Sequence, residues 1–164
     1  MKALTWKQPF ASLMVHGKIE TRTWKTNVRG KVLICASKVP YNLNQVQGIS
    51  GDYQLTRIMN TLAIPDPGNF GDLDCGFAIA IGNLVDCRPM KPTDEDDCFV
   101  LYNPSAIVTI DGNGEHHYPL WCHIYEDVRA IVPIPFKGKQ GWSEVNQNIL
   151  DQIFLKKVSQ EKFF

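Results

Sequence analysis

A chain of 164 residues with 44% hydrophobic content is long enough to bury a core and short enough for one domain, so a single domain over 1–164 is expected. Seventeen Lys and Arg balance seventeen Asp and Glu at a pI of about 6.9. That balance excludes a global positive field for duplex DNA or anionic lipid, and any nucleic-acid contact must be local. No run of about eighteen apolar residues exists and the N-terminus lacks a signal peptide's apolar stretch, so a cytoplasmic protein with no membrane partner is expected. Five scattered cysteines, an odd count in mostly apolar segments, read as reduced thiols.

In chain order, residues 1–6 read as a short strand, and Gln8-Pro9 opens a helix with Pro9 at its first position and Gly17 closing it. Phe10, Leu13 and Met14 recur there at helical spacing and predict one buried face. Residues 19–24 alternate as a strand does, with Glu20, Arg22 and Trp24 on one face, Ile19, Thr21 and Thr23 on the other, and Lys18 in phase with the acid if the strand begins early. Residues 31–36 are β-branched and apolar enough for a central strand. A loop over 39–51 then leads to a helix over 53–62, and a Pro/Gly break follows at 65–69. Residues 76–85 form the most apolar run and predict a buried strand.

Asp94-Glu95-Asp96-Asp97 reads as a capped turn or short helix, solvated, without the spaced oxygens and glycine of a calcium loop. Asp111-Gly112-Asn113-Gly114 signals a hairpin between β-rich flanks at 106–110 and 117–125. Pro133 and Pro135 make 128–136 an edge strand or extended segment. Lys137 to Trp142 is a basic loop punctuated by glycines, able to bring backbone N–H groups to a phosphate. A C-terminal helix is expected over about 146–158. Strands outnumber helices and connections are short, which gives an α+β chain: a small mixed β-barrel or curled sheet carrying a few helices.

The unusual chemistry is concentrated between Trp6 and Arg29. Glu20 between Lys18 and Arg22 would by itself describe a surface ion-pair ladder worth about 0–1 kcal/mol. The neighbouring Trp6, Gln8, Trp24 and Arg29 add aromatic planes and polar edges, the means by which a protein holds a flat base. His116-His117 with Cys122 and His123 lacks metal-ligand spacing. No metal and no cofactor are expected.

Three segments carry a family resemblance. Leu4-Thr5-Trp6-Lys7-Gln8-Pro9-Phe10-Ala11, His16-Gly17-Lys18-Ile19-Glu20-Thr21-Arg22-Thr23-Trp24 with Arg29-Gly30, and Val132-Pro133-Ile134-Pro135-Phe136-Lys137-Gly138-Lys139-Gln140-Gly141-Trp142 resemble the ASCH domain family. The resemblance brackets residues 3 to about 145. It implies a PUA-like β-barrel with a cleft at the G-K-x-E-x-R segment, and RNA or a modified nucleoside as the partner. Carried over, the family's lysine is Lys18; together with the aromatic and polar residues and the basic loop above, ligand contacts are expected at Trp6, Gln8, Lys18, Glu20, Arg22, Trp24, Arg29, Lys137 and Lys139. Some family members are acetylcytidine amidohydrolases and others have been described as ribonucleases. The same cleft in a hydrolase would use Lys18, Glu20 and Arg22, although the Thr of the amidohydrolases falls where this chain has Glu20. A protein or small-metabolite binding module is the third expectation, in keeping with the neutral overall charge.

Overall fold

The computed structural model describes residues 1–66 and 68–161. In chain order it contains β1 (Lys2–Trp6), α1 (Phe10–Leu13, continued by a 3₁₀ turn over Met14–His16), β2 (Glu20–Arg22), β3 (Gly30–Ala36), α2 (Leu43–Leu62) and β4 (Phe77–Pro89). There follow α3 (Glu95–Cys98), β5 (Ile107–Asp111), β6 (Gly114–Tyr118), β7 (Trp121–Pro135), β8 (Ser143–Glu144) and α4 (Gln147–Glu161). Six strands form one sheet in the order β2-β7-β4-β3-β1-β8, and β5-β6 is a separate hairpin. Within the large sheet β1 and β3 are parallel and the other pairs antiparallel.

The sheet curls into a half-barrel and does not close, which corrects the expected barrel. Closure needs a continuous ladder at matched shear. The edge strands β2 and β8 are three and two residues long and do not pair with each other, too short to supply that ladder. Side chains span the gap instead: Arg22 Nη2 donates to the Thr5 carbonyl at 2.9 Å, and Trp142 Nε1 donates to Thr26 Oγ1 at 3.2 Å.

Three apolar clusters hold the layers. Leu4, Trp6, Val32, Ile34 and Leu84 cover one side of the sheet with Tyr125, Trp24 and Trp142 at their margin. Leu33, Cys35, Ala78 and Ile134 meet Ile149 of α4 on the other side. Phe10, Val46, Ile58, Phe70 and Phe99 join α1, α2 and α3. Burying a Leu, Ile or Phe side chain is worth about 1.5–3 kcal/mol, so these clusters, rather than helix propensity, fix the short α1 and α3.

Several local expectations change. The expected loop over 39–51 is helical from Leu43, because Asn42 and Gln45 form a reciprocal capping box at 2.9 Å and Val46 is buried. Gly51, at φ +73°, ψ 170°, is the non-helical residue inside α2 where two helical stretches join, a conformation open to glycine. The strand expected over 19–24 shortens to Glu20–Arg22. The expected edge segment at 128–136 fuses with 121–125 into the 15-residue β7, which is interior to the sheet. Its prolines still obey the edge rule locally, since β2 reaches only Trp121, Cys122 and His123 of β7 and leaves the Pro133–Pro135 end paired to β4 alone.

The acidic run is not simply solvated either. Asp94 is buried, accepting from Arg88 at 2.7 and 2.9 Å and from the Lys91 N–H at 2.7 Å. The five cysteines are free, with Cys35, Cys98 and Cys122 buried. Among the described residues no helix is long and apolar enough to cross a membrane.

Candidate functional site

The site begins where α1 ends. Gly17, at φ +86°, takes the left-handed conformation that closes a helix without a Cβ penalty, and the chain turns Lys18 inward. The Ile19 N–H donates to the Asp97 carbonyl at 2.9 Å, which ties this turn to α3. β2 then runs antiparallel to β7, with Glu20 opposite His123 and Arg22 opposite Trp121.

Glu20 lies between two cations. Lys18 Nζ is 3.4 Å from Glu20 Oε2 and donates to the Ile19 carbonyl at 2.9 Å. Arg22 Nε is 3.2 Å from Glu20 Oε1, but its N–H is not aimed at that oxygen and makes no hydrogen bond. The side chains of Lys18, Glu20 and Arg22 are 1%, 7% and 21% exposed, so this is a buried ion cluster rather than a surface ladder. The Arg22 guanidinium lies between two indoles, 5.2 Å from the Trp6 ring centre and 5.8 Å from that of Trp24, an arrangement that stabilises a cation by its attraction to the ring faces.

β7 contributes the far wall. His123 is fully buried, and its Nε2–H donates to the Trp24 carbonyl at 2.9 Å. A carbonyl can only accept, so in the neutral ring Nδ1 carries the lone pair. Burial lowers the His123 pKa from its ordinary value, against the opposing influence of that hydrogen bond and of Glu20. Tyr125, two residues on, packs edge-to-face on Trp6 with ring centres 6.0 Å apart. Burial and the Glu20 charge raise its phenol pKa.

Four buried polar atoms around this cluster have no hydrogen-bonding partner among the described residues: Trp6 Nε1, Arg22 Nε, His123 Nδ1 and the Tyr125 hydroxyl. Most buried polar side-chain atoms are satisfied in folded proteins. Here three donors and one acceptor cluster within a shell of ring contacts that also includes Trp24–His123 at 5.0 Å and Trp24–Trp142 at 6.0 Å.

The remaining expected residues divide. Gln8 is fully buried, and its amide is consumed by the fold: Nε2 donates to Ser12 Oγ and the Asp74 carbonyl, both at 2.8 Å, and Oε1 accepts from the Ser12 N–H at 3.0 Å. Arg29 is exposed and donates to the Thr26 and Val28 carbonyls at 3.1 and 2.7 Å. Lys137 and Lys139 are exposed on the loop whose Gly138 presses so closely on Thr5 that a Cβ there would overlap the Thr5 side chain. Of the acids near α3, Glu95 accepts from the Tyr102 N–H at 2.7 Å and Asp96 from Gln54 at 2.6 Å. His116 and His117 pair with Asp111 and Glu115 in the β5-β6 hairpin. Two cavities of about 840 and about 480 Å³ lie elsewhere, and neither is lined by Lys18, Glu20 or Arg22.

His123 and Tyr125 were absent from the sequence expectation for the site. Their signal was the alternate spacing of His123 and Tyr125 along one strand, which points to one face; the strand also carries Glu126, Asp127 and Arg129, so the pair did not stand out, and the register with Glu20 appears only in the folded sheet.

Among curated proteins the chain is similar to activating signal cointegrator 1 of Mus musculus, with 28% identity over 126 residues, 67% of this chain and 21% of that protein. The chain thus spans about a fifth of the relative's length. That protein contains an ASCH domain, and the distant match is consistent with the resemblance read from the motifs. No family model matches the chain.

Proposed function

We propose that this domain binds RNA or a modified nucleobase at the cluster framed by Trp6, Glu20, Arg22, Trp24, His123 and Tyr125. The observation that carries the reading is the set of four buried polar atoms without partners among the described residues, beside a guanidinium within cation–π distance of two indoles. A base has a polar edge to satisfy such atoms and a π-face to lie against an aromatic ring. Glu20 acts here as the counter-charge of Arg22, Lys18 by pairing with Glu20 from its other side, and Gln8 by anchoring the start of α1 through Ser12. The exposed Lys25, Arg29, Lys137 and Lys139 supply the local positive charge that phosphates need in a chain with no net charge. The likeness to an ASCH-containing protein points the same way.

Hydrolysis at the same place has less support. Lys18 is engaged by Glu20 and the Ile19 carbonyl, and neither Thr21 nor Thr23 is hydrogen-bonded to it among the described residues. A nucleophile–base pair would need that contact.

Titration of a labelled single-stranded RNA, together with a panel of modified nucleosides, tests the binding reading. Affinity for the RNA should fall as salt rises, with a slope of about −0.7 per phosphate contacted. Lys25→Gln and Arg29→Gln should each flatten that slope, and Trp24→Leu should weaken binding by about 5- to 100-fold, the range for losing one stacked base. Mass spectrometry of the same mixtures reads turnover. Absence of binding to every RNA and nucleoside would overturn the proposal in favour of a protein or metabolite partner.

A further inference from the structure

The cavity of about 840 Å³ lies on the side of the sheet that packs α4, away from Trp6 and Tyr125. Its origin is a flaw in the β4-β7 ladder. Pairing runs Ile81 to Arg129 and then jumps to Asn83 with Glu126, while Asp127 adopts φ +52°. An extra residue in one strand bends it away from its partner and increases its twist, which opens a trough between β7 and the last turns of α4.

The trough has two chemical zones. Ile81, Ile131, Val132 and Ile153 line it with apolar surface, while Lys31, Arg129, Lys156 and Lys157 bring four cations to it. The acid among the lining residues, Asp127, is paired with Arg129 at 2.9 Å. Lys156 Nζ donates to the Pro133 carbonyl at 3.1 Å, a partner that leaves its charge uncompensated. Lys31 and Lys157 have no carboxylate partner among the described residues and are exposed. In a chain with as many acids as bases, this places three positive charges without a carboxylate partner among the described residues beside an apolar surface.

We propose that this trough is a second binding site, for an unbranched alkyl carboxylate whose tail covers Ile81, Ile131 and Ile153 and whose head lies between Lys31 and Lys157. The volume falls within the range of small-ligand pockets, roughly 300–1,000 Å³. The apolar lining supplies affinity in proportion to chain length, and the lysines select an anionic head over a neutral one. The site is independent of the nucleobase reading.

Calorimetric titration of the full chain with octanoate, decanoate and dodecanoate, each below its micelle concentration, gives the test. Affinity should rise about fourfold per added methylene, the equivalent of about 0.8 kcal/mol. The double variant Lys31→Glu/Lys157→Glu, made at exposed positions and checked for an unchanged circular dichroism spectrum, should weaken decanoate about tenfold and leave decanol unaffected. Ile153→Gln should weaken both. No heat of binding for any of these ligands at two well-separated temperatures, no dependence on chain length, or equal binding of decanoate by wild type and the double variant would overturn the assignment. RNA binding measured on the same double variant should be unchanged, which keeps the outcome separate from the nucleobase site.

Discussion

Replacing Glu20 by Ala removes the counter-charge of two cations at once. Lys18, 1% exposed, would keep a neutral carbonyl at 2.9 Å, and Arg22, 21% exposed, would keep the Thr5 carbonyl at 2.9 Å. Breaking a buried pair by deleting one partner costs about 3–5 kcal/mol, because the remaining charge stays desolvated. Against a total stability of about 5–15 kcal/mol that is a large fraction. With a urea m-value of about 2–3 kcal/mol/M, the midpoint should fall by about 1–2.5 M at pH 7. The triple variant Lys18→Met/Glu20→Leu/Arg22→Met removes every charge together and should recover most of the loss, since apolar replacement of a buried ion cluster is often neutral or stabilising. Urea unfolding followed by tryptophan fluorescence measures both. A loss below about 1 kcal/mol for Glu20→Ala, the range of a surface pair, would refute the claim that burial governs this cluster.

Further outcomes follow from other parts of the structure. The Arg88 guanidinium, followed by the Lys91 N–H, holds the Asp94 carboxyl down at about 2 from its ordinary 3.8. A depressed carboxyl contributes stability that is present above about pH 4 and lost as pH falls through about 2. Asp94→Asn should therefore cost about 2 kcal/mol at neutral pH and flatten stability over that acid window, as read by urea unfolding at successive pH values. Gly138→Ala forces a Cβ onto Thr5 and should cost about 1–3 kcal/mol by overpacking, with partial recovery when Thr5→Ala is added, measured as shifts in thermal midpoint. A thiol reagent such as dithionitrobenzoate should react readily with two of the five cysteines, the half-buried Cys75 and Cys87, and slowly with Cys35, Cys98 and Cys122. Burial pushes the Cys35 thiol up to about 12, which further suppresses its thiolate.

Features set by neighbouring residues were legible before any fold. The apolar run around 76–85, the hairpin turn at Gly112-Asn113 and the C-terminal helix all rest on periodicity or turn chemistry, and the structure places β4, the β5-β6 turn and α4 there. The helical start at Leu43 was missed because a polar composition suggested a loop. Its cap, Asn42 with Gln45, was present in the letters, but the packing of Val46 and Ile58 in one cluster with Phe10 and Phe70, which also holds the helix, was not.

By itself, then, the sequence determined the residue types gathered near Trp6 to Arg29, the shared face of Glu20 and Arg22, and the α+β character of the chain, because each follows from spacing along one segment. Tertiary structure alone decided that Lys18 and Glu20 are buried, that Gln8 is spent on Ser12 and Asp74, and that His123 and Tyr125 face the cluster from a strand about a hundred residues away. It also decided that the sheet stays open, with β2 tied to β1 through Arg22 and Thr5 and the segments flanking β2 and β8 tied through Thr26 and Trp142. Burial and cross-strand register depend on which distant segments pair, and that pairing is fixed by the summed packing of the whole sheet, which no local window of the chain contains.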